Sequence, residues 1–341
     1  MNNMTTTNTL PAQLLERWKE MYSARELKQL LHVLSQEQSI SFRTNTLITN
    51  EDNLEDSLSK KGFLLEKLKW YSSAFILKNK SVSELTETEE YKNGLLYIQN
   101  LSSMIPPVIM DPKPNEKILD LTAAPGSKST QIAMLTNNNA QIVANDSSRS
   151  RLYKMERILH DYGIPFQKLK GNQIFGKSEF LTDAKFMITN FRGERFWKMF
   201  PEYFDKTLVD VPCSMEGRIR CDDPKSYKDW SIKKIKQLSK LQRYLLRSAV
   251  SATRVGGTIT YSTCTLTPEE NEEVIEWVVD KTPEALSVEK INIPHLPLQP
   301  GLTSWKKKQF TYTANCARVF PTQTMEGFFV AKLYKKASTL L

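Results

Sequence analysis

Between residues 117 and 333 short apolar runs alternate with helical stretches, and this constrains the fold more than any other feature. The runs are "KILDL" 117–121, "QIVAN" 141–145, "KFMITN" 185–190, "KTLVDV" 206–211, "GGTITYST" 256–263 and "GFFVAKL" 327–333. Helices are predicted between them near 128–136, 148–162, 231–254 and 268–280. Short apolar runs bounded by turns read as buried strands. Strands separated by helices imply crossover connections, hence a largely parallel sheet covered on both faces. In such sheets ligands bind outside the carboxyl ends of the strands, so the residue following each run becomes a candidate for chemistry.

The first third of the chain reads differently. Leucines, Trp18 and Met21 recur at three- and four-residue steps, predicting one helix over 12–38. "ISFRTNTL" at 40–47 alternates like a strand, "NEDNLEDSLSKKGF" is helix-compatible, and "KLKWY" and "SAFILKN" read as short strands, together a small α+β unit. The prolines of "PPVIMDPKP" at 106–114 read as a linker or domain entry.

"ILDLTAAPGSKS" at 118–129 is a strand running into a tight turn and a helix. Ala123, Ala124, Gly126 and Ser127 are small enough for a ligand to approach the backbone, and Gly126 can adopt positive φ. The amides at the helix start favour an anionic group. Asp146 ends the next strand 26 residues after Asp120, placed to accept from ribose hydroxyls. The turn is neither GxGxxG nor a P-loop, and taken alone it is also compatible with an ordinary βα turn.

Two further strands end in thiols. "LVDVPCSMEGR" presents Cys213 and "ITYSTCTL" presents Cys264, so both can face one crevice beside Asp210 and Lys128. A nearby lysine lowers a thiol pKa and activates it as a nucleophile. Taken singly, each cysteine is more often a small buried hydrophobe, and it is the pair, both after apolar strands, that favours chemistry. Cys221 and Cys316 have no such setting, and no histidine lies in a strand-end motif, which disfavours a Cys–His hydrolase. The cysteines form no CxxC, which argues against zinc and against a disulfide framework. Reduced thiols, a polar N-terminus and apolar runs far below the roughly 20 residues of a membrane span suggest a cytoplasmic protein with no membrane attachment. Lysine and arginine exceed aspartate and glutamate by 47 to 38, net +9. That surplus favours a polyanionic partner. Arg43, Lys60, Lys61 and Lys306–Lys308 are expected on surfaces that phosphate can reach.

"LDLTAAPGSKS", "VDVPCSMEGR" and "YSTCTLTPEENEE", in this order, resemble the RNA (cytosine-5) methyltransferases of the RsmB/NSUN family. The resemblance extends through "GLLYIQNLSSMIPPVIMDP", "RVFPTQTMEGFFVAKL" and the N-terminal "FRTNTL", from about residue 40 to residue 334. Within the family the likeness is nearest to bacterial enzymes that methylate 16S ribosomal RNA. It implies an α/β class I (Rossmann-like) S-adenosylmethionine-dependent methyltransferase sheet at 106–336. It also implies an RNA-recognition-like α+β module at 39–105, with a helical segment at 1–38 and a tail at 337–341. By the same resemblance Cys264 attacks cytosine C6, Cys213 assists proton removal and release, Asp210 contacts the base and cofactor, and Lys128 stabilises charge. Ala123, Ala124, Pro125, Gly126, Ser127, Lys128 and Ser129 hold the methionine part of S-adenosylmethionine, and Asp146 its ribose. The implied product is 5-methylcytosine in ribosomal RNA, or in transfer RNA, made by a monomer that needs no metal.

Three features depart from the family pattern. Arg192 in "TNFRGERF" stands where an aspartate usually meets the adenine end of the cofactor, with Glu194 two residues on. Met215 replaces the usual glycine after PCS, and the stretch 164–184 is long. A non-catalytic RNA-binding or ribosome-assembly factor of the same fold is the second reading, with Arg192 its best support. A methyltransferase for small molecules or proteins is the third, disfavoured by the basic charge. The acidic run "PEENEE" is expected to begin a helix, where carboxylates suit the positive end of its dipole.

Overall fold

A computed structural model describes residues 10–169 and 185–340. Most of the long stretch 164–184, from residue 170 on, therefore lies outside the described residues.

The main body is one ten-stranded sheet. Its parallel centre comprises β5 (Lys117–Asp120), β6 (Gln141–Asn145), β7 (Gln167–Leu169), β8 (Phe186–Thr189), β9 (Phe204–Asp210) and β10 (Thr253–Thr263), in the order β10-β9-β5-β6-β8-β7. β16 (Phe328–Lys335) adds antiparallel to β10 and carries the remaining edge strands. Adjacent strand residues divide between two cores, as the apolar runs require. Leu119 and Val143 face a core with α9 (Ile232–Ala252) and α10 (Glu272–Lys281). Ile118 and Ile142 face a core with α7 (Ser127–Leu135) and α8 (Arg149–Asp161). The chain leaves β5 toward β6 on one side and returns to β9 on the other. The crevice at a reversal of this kind is where open α/β sheets bind ligands.

The N-terminal module is a four-stranded antiparallel sheet ordered β2-β3-β1-β4, from β1 (Ser41–Thr44), β2 (Leu65–Lys67), β3 (Ala74–Leu77) and β4 (Leu96–Ile98), with α3 (Glu51–Lys60) packed on it. "KLKWY" is strand only at its start. Trp70 and Tyr71 lie in the turn to β3, and β4 adds a strand beyond those expected from sequence.

Several other expectations are corrected. The helix expected over 12–38 is two, α1 (Ala12–Met21) and α2 (Ala24–Leu34), because Ser23 and Glu26 form a reciprocal capping box that starts a new helix. Both pack on the segment following Cys213, through Ile219, Cys221 and Tyr227. Pro106 and Pro107 are not in a linker but inside the buried helix α6 (Leu101–Met110). Proline leaves the carbonyl four residues earlier without its N–H. At Ser103 that carbonyl accepts instead from Gln99 Nε2 at 3.1 Å. Arg43 does not face solvent: it is fully buried on β1, donating to Gln99 Oε1 at 2.9 Å, Thr130 Oγ1 at 2.7 Å and the Ser127 carbonyl at 3.0 Å. It couples the module to α7 rather than to phosphate. Lys60, Lys61 and Lys306–Lys308 are exposed as expected, and Lys61 pairs with Glu90.

Candidate active site

The parallel register sets Asp210, the last residue of β9, opposite Ser262 of β10. Ser262 Oγ donates to Asp210 Oδ1 at 2.7 Å. Lys128, one residue into α7, donates to Asp210 Oδ2 at 2.7 Å and to Ser103 Oγ at 2.8 Å. Each end of the carboxylate is thus held by a different element. Lys128 is 7% exposed, and its Nζ lies 5.8 Å from the centre of the Phe328 ring.

Just beyond these strand ends the two thiols meet, with Cys213 and Cys264 Sγ atoms 3.3 Å apart. Cys213 is buried and Cys264 partly exposed. The hydrogen bond to Cys264, then burial, raises the Cys213 pKa well above that of an ordinary thiol. The backbone around them is tightly sewn: Gly217 N donates to the Cys264 carbonyl and Gly327 N to the Gly217 carbonyl, each at 3.0 Å. Met215 sits at φ 59°, a left-handed conformation that explains why glycine suits this position.

The AAPG turn lies across the crevice. Gly126 has φ 110° and caps α7 without a side chain, so the first-turn amides are not covered by a capping group. Ala123 and Ala124 are buried, Ser127 is half-buried and Pro125 is exposed. Ser129 turns inward, donating to Asp120 Oδ2 at 2.6 Å. Asp120 Oδ1 is buried with no partner among the described residues, and burial, reinforced by Asp210, pushes this carboxyl up to about 7. Asp146 lies at the end of β6, accepting from Ala124 N at 3.2 Å and Ser148 N at 2.9 Å. Arg151 pairs with Asp146 at 3.2 Å and donates to the Ala124 carbonyl, bracing the turn. Arg192 follows Phe191, whose backbone is held by Asn145 at the end of β6, and it is exposed and paired with Glu194 at 3.0 Å.

Residues 107–334 match the family model described as 16S rRNA methyltransferase RsmB/F, and residues 10–101 match that for the N-terminal domain of 16S rRNA methyltransferase RsmF. The chain belongs to the RsmB/F family. With the family come its enzyme class, an RNA (cytosine-C5) methyltransferase, and its cofactor, S-adenosylmethionine. A tRNA (cytosine(49)-C(5))-methyltransferase of Pyrococcus abyssi is 33% identical over 95% of this chain and 96% of its own. The ribosomal RNA small subunit methyltransferase F of Pectobacterium atrosepticum is 34% identical over 98% of this chain but only 64% of its own length. The chain thus spans under two thirds of the methyltransferase F relatives it matches. A methyltransferase homolog protein from Pyrococcus horikoshii superimposes with a TM-score of 0.75 at 28% identity, over 96% of this chain and all of that one.

The cofactor pocket of an RsmB/F enzyme fits what is present here. The uncapped start of α7 suits a carboxylate, the orphaned Asp120 Oδ1 suits an ammonium group, and Asp146 suits a ribose. Among the described residues no group of three or more His, Cys, Asp or Glu could hold a metal, and no helix is long and apolar enough to cross a membrane.

Sequence reasoning missed a set of supporting residues. Glu270 lies behind the thiols, its Oε2 accepting from Ser214 N at 3.0 Å and Gln242 Nε2 at 2.7 Å. Arg218 pairs with Glu326 at 3.2 Å, and both belong to the electrostatic surroundings of the thiols and Lys128. The expectation that "PEENEE" opens a helix holds for Glu272 and Glu273, which lie in the first turn of α10, whereas Glu269 and Glu270 lie in the turn before it and each carboxylate also has its own partner. Glu269 pairs with Arg17 and Glu272 with buried Arg318, each at 2.6 Å. Four glutamates within five residues could have signalled such wiring, since a buried carboxylate needs a partner.

Proposed function

We propose that this chain forms 5-methylcytosine in RNA through a covalent bond between Cys264 and cytosine C6, acting as a cytoplasmic monomer. Ribosomal RNA is the first substrate to test and transfer RNA the second. The observation that carries this reading is the contact between the two thiols beside the Lys128–Asp210 pair.

Cytosine C5 is a poor nucleophile until a group bonds to C6. Cys264, the more exposed sulfur, makes that bond. Asp210, held at both oxygens, meets the ring edge, and Lys128 balances the charge that develops there. S-adenosylmethionine, held by the α7 start and Asp146, supplies the methyl group. Once Cys264 is bonded to carbon it no longer accepts a hydrogen bond from Cys213 or carries charge beside it. The main cause of the high Cys213 pKa is then gone, so Cys213 gives up its own proton to water and serves, as thiolate, as base for the C5 proton. Loss of that proton breaks the C6–S bond and frees Cys264. The reaction requires an unstacked base, which suits single-stranded or remodelled RNA.

The test supplies labelled S-adenosylmethionine and unmodified ribosomal or transfer RNA. Wild type should label cytosine and Cys264→Ala should not. Cys213→Ala should accumulate a protein–RNA adduct that survives denaturing electrophoresis. No label on either RNA would refute the enzyme reading, and a folded Cys213→Ala protein that binds RNA without forming the adduct would refute the division of roles.

A further inference from the structure

A second hollow, of about 740 Å³, opens where α9 and α10 meet the hairpin of β13 (Ser304–Trp305) and β14 (Lys308–Gln309). The mechanism above uses none of its walls. Lys236, Lys240 and Arg243 recur at helical spacing on α9 and line one side. Lys306, Lys307 and Lys308 line the other, giving six cations against the two carboxylates Glu269 and Glu273. Both carboxylates are already neutralised, Glu269 by Arg17 at 2.6 Å and Glu273 by Lys308 at 2.6 Å and Arg243 at 3.5 Å. Lys236, Lys240 and Lys307 have no carboxylate partner among the described residues, so their charge is left for something else.

The hollow also holds aromatic rings. Tyr244 is 44% exposed and meets Trp277 edge-on at 6.5 Å. A bare anion needs only the cations. An acidic peptide has no use for an exposed ring set among lysines. A single-stranded nucleic acid uses both, with bases stacking on aromatic faces while phosphates meet lysines. The hairpin tip points the same way. Lys306 occupies φ 54°, a turn position that favours glycine or asparagine, yet a lysine stands there with its Nζ 5.4 Å from the centre of the Trp305 ring.

We propose that this cleft binds an unpaired segment of the RNA substrate away from the target cytosine, with a base on Tyr244 and phosphates on Lys240 and Lys307. This rests on the reading that the substrate is RNA. Glu269, which lines the cleft, is the neighbour of Glu270, which holds Ser214 beside Cys213. RNA held in the cleft is therefore anchored to the loop that presents both thiols.

The test is binding of a short labelled single-stranded RNA to the full chain across a salt series. Lys240→Ala/Lys307→Ala should flatten the slope of log affinity against log salt by about 1.4, at about 0.7 per phosphate contact. Tyr244→Ala should weaken binding by about tenfold and leave the slope unchanged. Wild-type affinity and slope in both variants overturn the proposal. So does a changed slope with Tyr244→Ala binding normally, which describes a bare anion site, or displacement of the RNA by an acidic peptide at equal charge. Methyl transfer is measured separately. A wild type that binds RNA through these residues but transfers no methyl refutes the enzyme reading alone. Intact transfer with unaltered binding in the variants refutes the cleft alone.

Discussion

Replacing Glu270 by glutamine should change how stability depends on pH, by an amount the structure fixes. The side chain is fully buried, and Oε1 has no partner among the described residues. Burial pushes its carboxyl from the ordinary 4.5 up to about 7. In the unfolded chain the group loses its proton near 4.5, while the folded protein keeps it to about 7. The folded state therefore binds the extra proton in that window, and stability falls as pH rises through it. The stabilisation is complete below about 4.5 and gone above about 7. The span between the two values corresponds to roughly 3 kcal/mol.

Glutamine keeps an oxygen to accept from Ser214 N and Gln242 Nε2, and it does not ionise. Asp120, also pushed up to about 7, titrates alike in both proteins and cancels from their difference. Between about pH 5 and about pH 9 the variant should therefore gain roughly 3 kcal/mol relative to wild type. For 341 residues, at about 2.1 cal/mol/K of unfolding entropy each, that is about 4 °C in melting temperature. Thermal or urea denaturation of both proteins across that pH range reads the difference directly. Parallel stability profiles would show that Glu270 does not hold its proton in the folded state, and the account of a neutral carboxyl behind Cys213 would fail.

Two further perturbations act on the same loop. Arg318→Met leaves the fully buried Glu272 without its two 2.6 Å contacts and should cost about 3–5 kcal/mol in denaturant unfolding, largely recovered in the double variant with Glu272→Leu. Gly217→Ala places a Cβ within 1.9 Å of the Gly327 carbonyl oxygen, so the strap that ties Gly217 to the Cys264 carbonyl must open. Methyl transfer should fall by more than about tenfold while single-stranded RNA binding persists, because the cleft on α9 is untouched.

The central sheet and the thiol pair were legible in sequence because their signals are local. An apolar run followed by Pro212–Cys213, or by Cys264 among threonines, declares a strand end wherever it stands. What was not legible depends on contacts that no local pattern encodes. Pro106 and Pro107 read as a linker because proline breaks isolated helices. Only the folded chain supplies Gln99 to take up the carbonyl that Pro107 leaves free, and the apolar packing that holds α6 together. The break between α1 and α2 was different, since Ser23 and Glu26 carry a capping-box signature that the longer apolar periodicity concealed.

Arg43 and the acidic run make the same physical point from opposite charges. A basic residue in a strand and a cluster of glutamates both read as solvated, because charge is costly to bury. Here each is buried where it joins parts of the chain that would otherwise only touch. Arg43 has no carboxylate partner among the described residues, yet it meets a carbonyl, a hydroxyl and an amide, with the Tyr97 ring 4.8 Å away. Glu269, Glu270 and Glu272 bind in turn the N-terminal helix, the backbone beside Cys213 and the strand at Arg318. The loops that carry the two thiols must keep their geometry without the regular hydrogen bonds of a helix or strand. Charged groups with few alternative partners supply that geometry more specifically than apolar contacts do. The residues that looked most like surface are therefore the ones that fix the N-terminal module to α7 and Cys264 to Cys213.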